Sequence, residues 1–417
     1  MKRPLIITSI IGLAVAGIVG ALHGYGALGV IERPIAGMIS HFRQITSAMN
    51  DQWQYLIIAV LALSVAGLTL TTRRRNRLAI IMGVLLIELL VLAWVFSLFH
   101  VLFQPFPSLL AVALAFVAAE RTVAIATHSR ATLARALFTG RLSDEEMHRV
   151  VTGDMPLNAE PRSYDSTVVV CDIANKYDLA DDTEPSAFAE ATEQFIQRTT
   201  GLLLNAGAYI QAADGEGVVA VFGFPQGDTE HAEKAVRVAL DLLNSFRHAR
   251  RQNNGELFAN CDVHLGVSSG TMIVAPLKRE GENMGLLTAG EPVELARRFC
   301  VANRFYGSRV LIGPRTFELA SRMVVARPID FLSGVNSQER HEIYEPLWLA
   351  AEAKPEHLAR RDSFWNGVVL YREKRWAEAY SEFQKARGPD ADNDAPLQLY
   401  LRRLEPLALH LAETPHG

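Results

Sequence analysis

Nineteen consecutive residues, Pro4 to Leu22, carry no charge. A helix of that length rises about 1.5 Å per residue and so crosses the ~30 Å hydrocarbon layer of a bilayer. Comparable runs extend from Tyr55 to Thr72 and, interrupted by Glu88, from Leu78 to Phe99. Val101 to Ala119 is also apolar but opens with Gln104, Pro105 and Pro107, which predicts a tight turn feeding a shorter fourth span. Hydrophobic residues are 49% of the 417-residue chain, and their excess lies in residues 1–120, so a membrane part precedes a soluble part. Basic residues cluster at Lys2 and Arg3, at Arg73, Arg74, Arg75 and Arg77, and at Arg121, Arg130 and Arg135. That distribution places both termini on the cytoplasmic side, with the first span an uncleaved anchor rather than a signal peptide. Residues 23–54 between the first two spans are too few for a packed sensor domain. Glu88, expensive in mid-span, is expected to serve as a helix-packing contact.

The net charge of -4 and the lack of a basic stripe with interleaved aromatics argue against a nucleic-acid partner. Cys171, Cys261 and Cys300 are odd in number and lack metal-ligand spacing, which fits buried thiols in a reducing compartment. In the soluble part, Arg121 to Leu142 has helix-forming character, and Ser143-Asp144-Glu145-Glu146 starts a second short helix with a capping box. Ser166 to Asp172 is a buried strand ending in a carboxylate. Pro185 opens a helix whose inner face holds Phe188, Ala191, Phe195 and Leu202. The strands AYIQAA and VVAVFG join at Asp214-Gly215, a hairpin signal. Ala232, Ala235, Val236, Ala239, Leu242, Leu243 and Phe246 form a helical stripe; a strand over Val263–Ser268 and a helix over Pro292–Asn303 follow. Alternating strands and helices predict an α+β domain with helices on one face of the sheet. Gly266 and Gly270 are expected to serve packing, and His231 and His264 have no metal-site spacing.

Six blocks stand in register here: ALFTGRLSDEEMHRVVTGD, VVVCDI, GAYIQAADGEGVVAVFGFP, DTEHAEKAVRVALDLL, LGVSSGTMIVAPL, and AGEPVELARRF followed by RVLIGPRTFELA. Together they resemble the catalytic domain of class III adenylate and guanylate cyclases, of the bacterial transmembrane type. The resemblance implies an α-helical membrane domain (1–120), a helical linker (121–160), a ferredoxin-like βαββαβ α+β domain (161–350) and a C-terminal helical part (351–417). In the last part, WNGVVLYREKRWAEAYSEFQKA resembles one tetratricopeptide-like hairpin. A single repeat cannot bury its own face, so it is expected to dock on the cyclase-like domain. The resemblance also implies a multi-pass protein of the bacterial inner membrane with a cytoplasmic cyclase-like domain.

In that family the active site lies between two head-to-tail protomers and holds Mg²⁺ or Mn²⁺. Carried over by position, the two metal aspartates fall on Asp172 and Glu216, with Asp214 a rival on the same strand face. The two base-reading positions fall on Ala212 and Leu287, the ribose asparagine on Glu294 and the catalytic arginine on Arg298. Ala212 and Leu287 cannot hydrogen-bond a purine, and a charged hydrogen bond is worth about 1.5–3 kcal/mol. Glu294 sets a negative charge against an anionic substrate unless a metal or Arg298 pairs with it. Two readings follow. One is a regulatory pseudo-cyclase, or the weak half of a composite site, acting as a homodimer or as a heterodimer with another cyclase chain. The other is an active adenylate cyclase that converts ATP to cyclic AMP and diphosphate through an atypical base pocket.

Overall fold

The computed structural model describes residues 2–31, 33–34, 47–72, 75–157, 160–252, 260–279, 282–334, 339–389 and 391–413. Arg73 and Arg74 of the second basic cluster, and part of the segment between the first two spans, lie outside them. The chain divides into two units, Met1–Arg130 and Ala131–Gly417.

The first unit follows from the charge-free runs. It contains α1 (Lys2–Gly24), β1 (Ser47–Ala48), α2 (Asp51–Thr71), α3 (Arg75–Leu98), β2 (Val101–Leu102) and most of α4 (Pro105–Phe138). All four helices are long and apolar enough to cross a membrane. Small residues line their contacts: Ala62, Ala66, Ala111, Ala115 and Ala119 are fully buried, and a Cβ on Gly12 would lie 2.9 Å from the Leu63 Cα. Large apolar side chains such as Leu13, Ile80, Ile87 and Leu90 face outward instead. In water that arrangement would waste about 1.5–3 kcal/mol per side chain, whereas in lipid, packing of small residues holds helices together. Two details depart from expectation. The fourth span and the basic helix after it are one 34-residue helix. Glu88 is exposed on α3 rather than packed against a neighbour.

In the second unit, α5 (Asp144–Thr152) starts at the expected cap, where the Ser143 hydroxyl accepts the Glu146 N–H at 3.3 Å. The elements that follow are β3 (Arg162–Ile173), α6 (Lys176–Asp182), α7 (Pro185–Asn205), β4 (Tyr209–Asp214), β5 (Gly217–Phe222), α8 (His231–Gln252) and β6 (Val263–Arg279). Their strand order, β4-β5-β3-β6 with antiparallel neighbours, is the βαββαβ arrangement. β7 (Glu282–Ala289), α9 (Glu291–Tyr306), β8 (Val310–Ile312), α10 (Pro314–Ala320), β9 (Val324–Ser333) and β10 (Arg340–Leu349) extend it to eight strands.

Alternation along β3 shows why both faces of the sheet are covered. Val169, Cys171 and Ile173 point to a layer with Phe195 of α7 and Ala235, Ala239 and Leu242 of α8. Val168 and Val170 point to the opposite layer with Leu137 and Phe138 of α4, Val150 of α5, and Ala296 and Cys300 of α9. Helices on one face alone was therefore too simple an expectation. α9 reaches the sheet because Gly266 and Gly270 carry no side chain: a Cβ at Gly266 would lie 2.0 Å from the Ala296 carbonyl oxygen, and one at Gly270 would lie 2.8 Å from the Pro292 ring. All three cysteines are buried and free. Burial pushes the Cys300 thiol up to about 12 and raises that of Cys171, so both are poor nucleophiles.

The C-terminal part is three helices, α11 (Pro355–Arg372), α12 (Trp376–Lys385) and α13 (Ala395–Glu413), one more than the hairpin predicts. They dock as expected. Phe364, Val368, Phe383 and Tyr400 share a core with Phe299 and Tyr306 of α9 and with Ile329 and Ile343 of the sheet. The buried Arg327 ties this seam, bonding Glu345 and Asp394 at 2.7 Å each and lying 4.4 Å over the Phe364 ring.

Candidate active site

Two acidic positions meet where β3 ends. Asp172 is the penultimate residue of that strand and stands in register with His264 of β6. Glu216 sits in the two-residue turn joining β4 to β5. That turn presses on β3 because Gly217, at φ 108°, has no side chain; a Cβ there would lie 2.5 Å from the Cys171 carbonyl oxygen and 3.2 Å from the Asp172 Cβ. Asp214, the rival carboxylate, accepts the Glu216 N–H at 2.9 Å with one oxygen. One Asp172 oxygen likewise accepts the neighbouring Ile173 N–H at 2.8 Å.

The space between Asp172 and Glu216 contains a side chain, the ammonium of Lys176. Its Nζ lies 3.3 Å from Asp172 Oδ2, 3.5 Å from Glu216 Oε2 and 3.4 Å from the Gly215 carbonyl oxygen. Lys176 opens α6, and the loop before it is pinned. Asn175 accepts the Asp262 N–H at 2.8 Å and donates to the Asn260 carbonyl at 3.1 Å, Ala174 N–H bonds the Asp262 carbonyl at 2.7 Å, and Arg304 bonds the Ala174 carbonyl. Burial pushes the Asp172 carboxyl above its ordinary range, and the nearby ammonium pulls it partly back. Burial opposes charge on Lys176 too, yet Asp172 and Glu216 together hold its pKa above the usual value.

This arrangement does not fit a resident dication. Mg²⁺ binds oxygens at about 2.0–2.1 Å with near-octahedral geometry. The Asp172 oxygens lie 3.3 and 3.4 Å from the ammonium, so an ion bound to either would sit within about 5.5 Å of it. At an effective dielectric of about 20, the repulsion between a double and a single positive charge at that distance is about 6 kcal/mol, and more at closer approach.

The remaining positions lie elsewhere. Glu294 and Arg298, one turn apart on α9, are paired at 3.0 Å, and Arg298 also donates to the Gly334 carbonyl at 2.7 Å. The arginine expected to meet developing negative charge is therefore bonded within its own chain, and the glutamate expected to repel substrate is neutralised by it. Ala212 follows a bulge between Ile210 and Ala212 and packs in the Val168 layer. Leu287 is 52% exposed on β7, paired with Ala275 of β6. From Ala275 back to His264, the partner of Asp172, β6 runs eleven residues, or about 36 Å at ~3.3 Å per residue. One chain cannot close Leu287 and Asp172 around the same small molecule.

No protein-family model matches the chain. Over 134 residues, 31% of its length, it is 29% identical to adenylate cyclase 1 of Rhizobium meliloti (strain 1021), of which the match spans 20%. The chain is similar to class III nucleotide cyclases. Among solved structures it aligns with the adenylyl cyclase CyaB from P. aeruginosa at 19% identity, over 47% of this chain and 100% of that one, with a TM-score of 0.42. It also aligns with a guanylyl cyclase at 18% identity, over 48% of this chain and 98% of that one, with a TM-score of 0.40. Within this cyclase-like unit, sequence reasoning missed Lys176. The available signal was its spacing of four residues from Asp172, across a strand end and into the first turn of a helix.

Proposed function

We propose that the chain is a membrane-anchored, regulatory pseudo-cyclase. Its cyclase-like unit pairs with a second copy or with another cyclase chain, on the cytoplasmic side of a bacterial inner membrane, and carries a signal without turnover at its own site. The observation that supports this most is the Glu294–Arg298–Gly334 linkage, because it occupies the guanidinium that the family directs at the reacting phosphate. Ala212 and Leu287 agree with it, since neither side chain can select a base. Pairing is supported by the separation of Leu287 from Asp172, which only a second chain could bridge.

ATP and GTP titrated into the full-length protein test this reading. Without base-reading donors the two nucleotides should bind with the same affinity, in the millimolar range or weaker. Micromolar binding with a tenfold preference for either, about 1.4 kcal/mol, contradicts it.

A further inference from the structure

We infer that Lys176 is a built-in cation: its ammonium holds Asp172 and Glu216 together in the place of a divalent metal ion, so that this end of the sheet is metal-free by construction. The inference rests on the pseudo-cyclase reading and gives the pair of acids a role within it.

Three independent features of the fold converge on that arrangement. The ammonium faces both acids and a backbone carbonyl at 3.3–3.5 Å, with the Lys176 side chain only 12% exposed against 28% for Asp172 and 79% for Glu216. The backbone that launches the lysine is held by Asn175 and Arg304 against residues 260–262 and 174. The backbone that carries Glu216 is seated too, because Gly217 lets the β4–β5 turn lie directly on the end of β3. Charge follows the same logic. Two carboxylates brought together by strand register need a counter-ion, and here the chain supplies one covalently tethered, without the entry path or the dehydration that Mg²⁺ requires. The Tyr177 ring, 5.6 Å from the ammonium, adds a further weak attraction. The adjacent carboxylates would then serve to order the turn carrying Gly215 and Glu216, not to bind the phosphates of a nucleotide.

The test is Mn²⁺ binding to the purified full-length protein, followed by the loss of the free-ion electron paramagnetic resonance signal. Wild type and Asp172→Asn should titrate alike, because no ion occupies this position. Lys176→Met keeps the side-chain length and removes the charge; it should tighten Mn²⁺ binding at least about tenfold, and adding Asp172→Asn should abolish the gain. Lys176→Gln should behave like Lys176→Met and guards against an effect peculiar to one variant. Wild-type Mn²⁺ binding that is lost in Asp172→Asn overturns the inference whether or not the lysine variants fold. So does a Lys176→Met protein, folded by its thermal melt, that binds Mn²⁺ no better than wild type. Turnover separates this from the broader reading. An active wild type with no Asp172-dependent Mn²⁺ binding would sink the pseudo-cyclase and leave the tethered cation standing. A silent wild type with Asp172-dependent binding would do the reverse.

Discussion

Arg298 and Lys176 are both bonded within the chain, by different routes: the guanidinium pairs with Glu294 one turn away on α9, and the ammonium stands between Asp172 and Glu216. Restoring single positions should therefore achieve little, since metal placement, base capture and charge neutralisation act as a unit. The variant Ala212→Lys, Glu216→Asp, Leu287→Asp, Glu294→Asn should stay near background in cyclic AMP formation. Adding Lys176→Met should raise it at least about tenfold, or about 1.4 kcal/mol in barrier; a quadruple variant already active with Lys176 in place would show that the lysine is no obstacle. His264 offers a separate test at this scale. Burial beside Arg309 lowers its pKa to about 4, with Arg304 adding to the effect and Asp262 opposing it. The unfolded chain takes up that proton near the ordinary value of ~6.5, so the stability gained from a neutral His264 is complete above that pH and is lost as pH falls from about 6.5 toward about 4. Melting temperature should drop more between pH 7 and pH 5 for wild type than for His264→Leu, and parallel drops would contradict the assignment. That Asp172 and Glu216 would come together was legible by position, one at the end of β3 and the other in the β4–β5 turn. What was not legible was the full set of partners. The spacing of four allowed Glu294 to pair with Arg298, but it does not show that Arg298 also reaches the Gly334 carbonyl, or that a lysine with no family role lies between two acids.

Elements with one strong local signal were legible from sequence: the capped α5, the proline-led α7 and the striped α8 fold as their residues direct, and the β4–β5 hairpin forms with its turn one residue further on, at Gly215-Glu216 rather than Asp214-Gly215. β6 and β7 were harder. Pro276 argues against a continuing strand, yet β6 runs on to Arg279, because its pairing with β3 ends at Val274 and only β7 remains as a neighbour. The junction of β6 with α9 depends on bare glycine. Gly266→Ala would drive a Cβ into the Ala296 carbonyl at 2.0 Å, a rigid backbone group. It should destabilise the protein by about 2 kcal/mol or more, within the cost of overpacking a filled site. Gly270→Ala meets a proline ring at 2.8 Å and should cost less. Thermal melts of the two full-length variants decide it; equal or reversed losses would mean that α9 is not seated on Gly266.

For the molecule as a whole, long apolar runs announced the four long helices, since backbone groups in hydrocarbon must be satisfied within a helix. The docking of the C-terminal helices was legible for a similar reason, an apolar face too small to be stable alone. The exposure of Glu88 was not, because α3 is apolar on every side and its sequence marks no inner face. Assembly belongs to this scale too. Full-length protein in nanodiscs should cross-link as a dimer through the cyclase-like unit, and a strictly monomeric protein at tens of micromolar would remove the basis for any shared site.

The central claim, that the fold is kept while turnover is not, is tested most directly by cyclic nucleotide formation. Purified full-length wild type, reconstituted in lipid and supplied with ATP or GTP and with Mg²⁺ or Mn²⁺, should produce cyclic AMP and cyclic GMP at background, unchanged in Arg298→Ala. Robust turnover with any of the four combinations, abolished by Asp172→Ala or Arg298→Ala, would contradict it.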